Sequence, residues 1–338
     1  MNYLPVSKES IKQAAEIMRA GRLVAFPTET VYGLGADVYN GEALAKIFEV
    51  KERPRFDPLI VHIASIETLE DVADMSLVEK ETREKLFALA ENLWPGPLSI
   101  VLPKNKKIPG LATAGLATAA VRFPDHEAAQ QLIKLSTGAI AAPSANRFGS
   151  LSPTRAEHVR DTLGDKIDLV LDGGPTRVGL ESTVLDITGG TLKILRHGGT
   201  TKEAIENLIG RIQDEFVSED DCNGGMLSPG QLKSHYAPKT PLCVMTQEII
   251  TNLIYEKDSA FLFFSAESRE KWEKALKPPK SAVFRVLSES GNLIEAASRL
   301  FETLHELDKC SLLQIFVEYA PQIGLGEAIN DRLRRASS

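Results

Sequence analysis

Cysteine is scarce in this chain. Its 338 residues include three, Cys222, Cys243 and Cys310, far apart in sequence and without a C-x-x-C pair. Neither a disulfide framework nor a zinc knuckle is expected, and a reducing compartment is the easier reading. Positive charge is in deficit: 39 Lys and Arg stand against 46 Asp and Glu, a formal net charge of −7. Sequence-independent nucleic-acid binding draws its affinity from Lys and Arg that displace phosphate counterions, so this balance disfavours it. A strip of interleaved aromatic and basic residues, on which single-stranded bases would stack, is also missing. No apolar run approaches the ~18 residues of a membrane span. The first residues show no basic stretch leading into an apolar one, so no signal peptide is expected. The expectation is a soluble, cytoplasmic protein.

Several chemical signatures are absent too. Glycine is nowhere followed directly by lysine, so there is no Walker A loop. H-E-x-x-H and G-x-S-x-G do not occur, and the six histidines are scattered, which makes a metal cage improbable. A nucleotide, if used, must have its phosphates held by side-chain cations and other loops.

What is present is an α/β pattern in two parts. The length and the 43% apolar content predict two domains, each able to bury its own core. Apolar periodicity is lost across 212–240, which is acidic at first and then rich in Gly, Ser and Pro, as a linker would be. In the segment before it, 1–211, strands are expected near 23–26, 59–63, 98–102, 119–123, 139–142, 169–171, 184–187 and 192–195. Helices are expected near 7–20, 41–50, 80–92, 125–135, 155–163 and 202–209. Neighbouring strands without a helix between them predict a mixed, twisted sheet surrounded by helices. After the linker, 241–338 alternates short strands (242–245, 260–264, 282–287, 313–318) with helices (248–255, 268–276, 292–307, 326–335). This predicts a small doubly wound, Rossmann-like domain. It lacks G-x-G-x-x-G after its first strand, so dinucleotide binding has no support.

Candidate chemistry gathers after the strands of the first part, where ligand loops sit in α/β proteins. The run Phe26-Pro27-Thr28-Glu29-Thr30-Val31-Tyr32-Gly33-Leu34-Gly35 reads either as a strand with a glycine-assisted turn or as a loop whose Thr28 and Thr30 offer hydroxyls to a polar ligand. In Lys51-Glu52-Arg53-Pro54-Arg55-Phe56-Asp57, three cations in five positions could answer a helix dipole. Equally, they could clamp an anion by charge and forked hydrogen bonds. His62 lies inside the next strand and by default is a satisfied histidine of the core or sheet edge. Arg122 falls in an otherwise apolar strand; a guanidinium there must face a cavity or meet an anionic partner, because burying it alone is costly. Ser152-Pro153-Thr154-Arg155 reads as a helix cap with proline in the first turn.

Taken together and in order, the stretches FPTETVYGLGAD, KERPRFDPLIVHI, WPGPLSIVL, TAAVRFP, AAPSAN, SPT, LDGG, GLESTV and LRHGG resemble the YrdC-like family of threonylcarbamoyl-AMP synthases. SPGQLKSHYAP and the α/β tail are similar to the long form, which adds a C-terminal accessory domain. The chain departs from the family pattern at Glu52, where glycine or a small polar residue is common, and at Asp57, where asparagine often stands.

The resemblance implies a nucleotidyltransferase. L-threonine, bicarbonate and ATP give L-threonylcarbamoyl-AMP and pyrophosphate, the first step of threonylcarbamoyl-adenosine formation in tRNA. A downstream tRNA threonylcarbamoyl transferase machinery completes the modification, with tRNA binding by this chain weak or indirect. The resemblance assigns threonine to Thr28, His62, Arg122, Ala142 (through its backbone) and Ser182. It assigns ATP to Lys51, Arg53, Thr118, Ser144, Asn146, Ser152, Arg196 and Tyr236, with Lys51 and Arg53 on the phosphates as the catalytic cations and Tyr236 folding back from the linker over the nucleotide. Mg²⁺ would ride on the phosphates with few protein ligands and no dedicated metal site. The attacking group is a carbamate formed from the substrate's own amine, so no protein nucleophile is needed and catalysis reduces to positioning and charge. Two other readings remain open from sequence: an RNA-binding module, and a carbamoyl-transfer domain acting on another amine.

Overall fold

The structure, a computed structural model, describes residues 2–189, 191–212, 236–245, 258–276 and 282–337. Most of the expected linker (213–235) and the expected helix at 248–255 lie outside the described residues. The chain divides into two compact units. The first comprises Met1–Phe148, Pro153–Arg177 and Glu181–Gln231; the second comprises Gly149–Ser152, Val178–Leu180 and Leu232–Ser338.

In the first unit, ten strands form one sheet. They are β1 (Asn2–Pro5), β2 (Val24–Phe26), β3 (Gly33–Asp37), β4 (Ile60–Ile63), β5 (Leu98–Pro103), β6 (Thr118–Arg122), β7 (Ala139–Ala141), β8 (Leu169–Asp172), β9 (Thr183–Asp186) and β10 (Lys193–Arg196). Their order is β1-β8-β2-β3-β7-β4-β6-β5-β9-β10. β1/β8, β2/β8, β4/β6 and β5/β9 run parallel, and the remaining neighbours are antiparallel. The sheet is mixed, as the missing crossover helices predicted.

Helices α1 (Lys8–Arg19), α2 (Gly41–Lys51), α3 (Leu69–Val72), α4 (Lys80–Leu93), α5 (Glu127–Leu135), α6 (Ala156–Leu163) and α7 (Lys202–Ile209) surround it. Local chemistry explains their ends. A capping box between Ser7 and Ser10 starts α1, which buries Ile11, Ala14, Ala15 and Met18 along one face. The Asn40 side chain accepts from the N–H groups of Glu42 and Ala43 to start α2. That helix stops at Glu52, whose φ of 55° lies in the left-handed region glycine favours. Glu52 pairs at the surface with Arg147 and Lys166.

The sequence reading missed two strands. β1 is a short edge strand with no strong alternation. β3 was hidden inside a glycine-rich run that resembled a turn. Its glycines serve packing: a Cβ on Gly35 would lie 2.4 Å from Met18 Cε and 2.9 Å from the Phe26 ring. Only a bare backbone lets β3 lie this close to Phe26 and α1.

The second unit holds a four-stranded, wholly parallel sheet of β11 (Leu242–Val244), β12 (Ser259–Ser265), β13 (Val283–Ser288) and β14 (Gln314–Val317), ordered β11-β14-β12-β13. Helices α8 (Ala266–Leu276), α9 (Leu293–Asp308) and α10 (Leu325–Ala336) accompany it. Phe261 stacks with Phe263, Phe284 and Phe316 in its core. No described helix is long and apolar enough to cross a membrane.

Overpacking at a tight glycine typically costs about 1–3 kcal/mol. Gly35→Ala is therefore expected to lower the denaturation midpoint of the full chain followed by circular dichroism. An unchanged midpoint would mean that Met18 and Phe26 yield freely.

Candidate active site

The loop between β2 and β3 is folded by its own hydroxyls. Thr28 Oγ1 donates to the Val31 carbonyl at 2.7 Å, accepts from the Thr30 N–H at 3.2 Å, and lies 2.8 Å from Thr30 Oγ1. Residues 143–145 fasten the far end: Leu34 N–H donates to the Pro143 carbonyl and Ala145 N–H to that of Tyr32, both at 2.8 Å. The hydroxyls of Thr28 and Thr30 thus make the turn themselves.

Arg122, at the end of β6, finds an anionic partner in this loop. Its Nη2 is 2.8 Å from Glu29 Oε1 and donates to Thr30 Oγ1 at 2.8 Å. The two charged side chains are 5% and 1% exposed. The contact with Glu29 is close but poorly aligned, so both Glu29 oxygens lack a hydrogen-bond donor and Arg122 Nε lacks an acceptor.

His62 is paired in register with Arg122 across β4 and β6. Its Nδ1 lies 3.1 Å from the Ile60 carbonyl. A carbonyl can only accept, so Nδ1 carries the proton and Nε2 is left as an acceptor. Burial, reinforced by the Arg122 charge, pulls the imidazole pKa down to about 3. The Ile60 carbonyl also accepts from Ala142 N–H at 3.0 Å, which leaves the Ala142 carbonyl as that residue's remaining backbone group.

Across the sheet, Ser182 Oγ lies 2.8 Å from Ser99 Oγ. Arg196 Nη2 donates to the Ser182 hydroxyl at 3.1 Å and to its carbonyl at 2.9 Å. Gly198 makes this possible, since a Cβ there would lie 2.3 Å from the Glu181 carbonyl and 2.4 Å from Ser182 C.

A second cationic cluster follows α2. Lys51 is fully buried; its Nζ donates to the Ser144 carbonyl at 2.6 Å and also to the Asn146 carbonyl. Burial, followed by repulsion from Arg53, holds the Lys51 pKa well below the usual lysine value. Arg53 donates to the carbonyls of Asp57 (3.2 Å) and Pro58 (2.8 Å) and is 2.9 Å from Asp57 Oδ1. Burial pushes the Asp57 carboxyl up, against the pull of Arg53, Lys51 and Arg196. Asp57 faces the cations beside it, 2.9 Å from Arg53. Ser144 Oγ donates to Asn146 Oδ1, and Thr118 opens β6 opposite Pro103.

Of the expected residues, the first unit brings Thr28, Arg122 and His62 together around one guanidinium, joins Ser182 to Arg196, and joins Lys51 to Ser144 and Asn146. Ser152 and Tyr236 belong to the second unit. There Tyr236, at φ 67°, packs against Phe301 with Arg332 5.0 Å over its ring, and the Ser152 carbonyl lies 3.1 Å from His305 Nε2. Sequence reasoning missed Glu29 and Ser99. The demand of Arg122 for an anion was the available signal for Glu29; Ser99 left none in its apolar strand. Among the described residues no group of three or more His, Cys, Asp or Glu could hold a metal ion.

The sequence model of the Sua5/YciO/YrdC family, described as "Telomere recombination", matches residues 16–198. A second, "Threonylcarbamoyl-AMP synthase, C-terminal domain", matches 200–338. Threonylcarbamoyl-AMP synthases of Pyrococcus abyssi and Bacillus subtilis are 40% and 42% identical to this chain, over 98% and 99% of its length and 95% and 94% of theirs. The crystal structure of P. abyssi Sua5 complexed with L-threonine superposes with a TM-score of 0.84 at 38% identity, covering 99% of this chain and 96% of that one.

The His62 shift has a pH consequence. The unfolded imidazole titrates near 6.5 and the folded one near 3. In that interval the unfolded chain binds the proton and the folded chain does not. The contribution of His62 to stability is therefore complete above about pH 6.5 and is lost as pH falls toward 3. His62→Gln is expected to flatten the acid-denaturation curve in this window; an unaltered curve would assign the acid limb to other groups.

Proposed function

The chain belongs to the Sua5/YciO/YrdC family in its long form, and we infer that it is an L-threonylcarbamoyladenylate synthase. It joins L-threonine, bicarbonate and ATP into L-threonylcarbamoyl-AMP with release of pyrophosphate. The observation that carries this reading in the site is the buried guanidinium of Arg122, set among hydroxyls and a neutral imidazole. An amino-acid carboxylate is the ligand such a cation fits.

In the proposed complex Arg122 takes the threonine carboxylate. His62 Nε2 accepts from the substrate hydroxyl, and Thr28, Ser182 and the Ala142 carbonyl complete the pocket. The threonine amine combines with bicarbonate to give a carbamate and water. A carbamate oxygen then bonds to the α-phosphorus of ATP as the α–β phosphoanhydride bond breaks and pyrophosphate leaves. Lys51 and Arg53 supply charge to the phosphates, and Thr118, Ser144, Asn146 and Arg196 hold the rest of the nucleotide. The bond between Ser182 and Arg196 supports the juxtaposition of the two substrates. Mg²⁺ would be carried by the phosphates and would screen their charge.

Residues 1–211 are proposed as the catalytic domain, 212–240 as a linker and lid, and 241–338 as an accessory domain. The product is proposed to pass, in the cytoplasm, to a separate transferase machinery that acts on tRNA. The alternative of an RNA-binding module gains nothing from the site, whose cations are buried and engaged with carbonyls and carboxylates.

Two measurements test this. Pyrophosphate release is expected to require both L-threonine and bicarbonate, with L-serine a poor substitute; equal rates with every amino acid, or none with threonine, would sink the assignment. Lys51→Met is expected to lower kcat about 10²–10³-fold, the usual loss when one charge-stabilising donor is removed, with an unchanged circular dichroism spectrum. A near-normal kcat would make Lys51 a purely structural tie to residues 144–146.

A further inference from the structure

Three buried polar atoms stand unsatisfied around one ion pair: Arg122 Nε, a donor, and Glu29 Oε1 and Oε2, both acceptors. Buried polar groups are nearly always hydrogen-bonded, so such a set calls for a ligand or another cause. The missing partners are an acceptor beside the guanidinium and a donor beside the carboxylate. One small molecule offers both within a few ångströms, an α-amino acid in its zwitterionic form. On the reading above, which this inference rests on, its carboxylate meets Arg122. Its ammonium, one carbon away, then falls on the side where Glu29 lies 2.8 Å from the same guanidinium.

We propose that Glu29 binds the threonine ammonium and takes from it the proton that must leave before the nitrogen can react. The ammonium and the Glu29 carboxylate become a free amine and a neutral carboxylic acid. The amine's lone pair then forms the bond to the bicarbonate carbon, and one oxygen leaves as water, giving the carbamate. The driving force is local. With substrate bound, two carboxylates share one buried guanidinium, and like charges at such a site favour protonation of one of them. Transfer of the proton leaves Arg122 with the substrate carboxylate alone.

The other groups near Glu29 are less suited to the task. His62, beside Arg122, holds a neutral imidazole whose pKa burial has drawn down to about 3, so it is a weak base. His126, at the start of α5, feels the Glu29 charge, but burial lowers its pKa as well. Beyond it Asp125 and Arg177 pair with each other at the surface. Glu29 thus offers a carboxylate whose one close partner among the described residues is Arg122 and whose oxygens have no aligned hydrogen-bond donor, positioned by the Thr28–Thr30 turn on either side of it.

The test uses the full chain, with pyrophosphate release measured at saturating ATP and bicarbonate over a range of pH and threonine concentrations. Glu29→Gln keeps the shape and removes the proton acceptor. Its kcat near neutrality is expected to fall about 10²–10⁴-fold, the usual worth of a general base. The loss should shrink steadily as alkaline pH supplies free amine from solution. Glu29→Asp is expected to be slower than the unsubstituted chain but to keep the shape of its pH profile. A Gln variant with normal kcat, or one whose deficit is the same at every pH, overturns the proposal. Should Glu29→Gln not fold, the Asp variant decides: a retained acid limb supports the proposal, and a profile flat with pH overturns it. Absence of threonine-dependent release from the unsubstituted chain would instead overturn the synthase reading itself.

Discussion

A guanidinium placed in an apolar sheet dominates the first unit. Burying a lone Arg122 would cost far more than any single packing contact returns, so the fold must bring it an anion and hydroxyls. The β2–β3 loop does this with Glu29 and Thr30, and the loop keeps its shape because Thr28 ties it to Val31. The demand spreads outward. β3 must come close enough to β2 to aim the loop, which requires glycine at position 35. Burial and the adjacent Arg122 charge keep the imidazole of His62 neutral down to about pH 3. A loop, a strand bearing two glycines and a tautomer follow from one buried charge.

The same economy governs the second cluster. A Walker loop presents backbone N–H groups to phosphates; here the cations themselves are buried and pre-positioned by carbonyl oxygens. Lys51 is fixed by residues 144 and 146, and Arg53 by residues 57 and 58. Preorganised charge in a dry site is worth more than the same charge in water, because no solvent has to reorganise as the reaction proceeds. Asp57 offsets part of this positive charge through its pair with Arg53. Asparagine, common at this position in the family, would leave more net positive charge at the cluster.

Much of this was legible in the sequence. Hydrophobic runs gave most of the strands, and helix starts fell within a residue or two; the cap read at Ser152–Arg155 failed, because α6 begins at Ala156 after Arg155, whose side chain makes no capping hydrogen bond. The lack of helices between strands gave the mixed sheet, and the need of Arg122 for a counter-charge could be stated from its apolar neighbours. What could not be read depended on contacts between distant segments. Gly33 and Gly35 suggest a turn until Phe26 and Met18 are seen against them. Glu29 is unremarkable in a polar loop until Arg122, 93 positions later, arrives beside it. β1 carries no pattern of its own and exists because β8 offers it a parallel edge. Tertiary pairing decided each of these cases over local propensity.

The absence of a protein nucleophile follows from the same design. When the substrate supplies the attacking atom, the protein has to meet two demands at once. It must hold a zwitterion while allowing its ammonium to become an amine, and it must bring the resulting carbamate to a phosphorus surrounded by negative oxygens. The first asks for a cation and an anion side by side, as in Arg122 and Glu29. The second asks for cations that outnumber the anions among them, as Lys51, Arg53 and Arg196 do around Asp57, and for a short link between the two regions. Ser182 supplies that link, touching Ser99 on one side and Arg196 on the other. Gly198 fixes its backbone by allowing the 181–183 segment to pass within van der Waals distance. A displacement of 1 Å at this point would separate nucleophile from electrophile, and losses of about a hundredfold are usual for such misplacements. In the proposed complex the catalytic geometry therefore rests on a glycine and a serine that carry no charge at all.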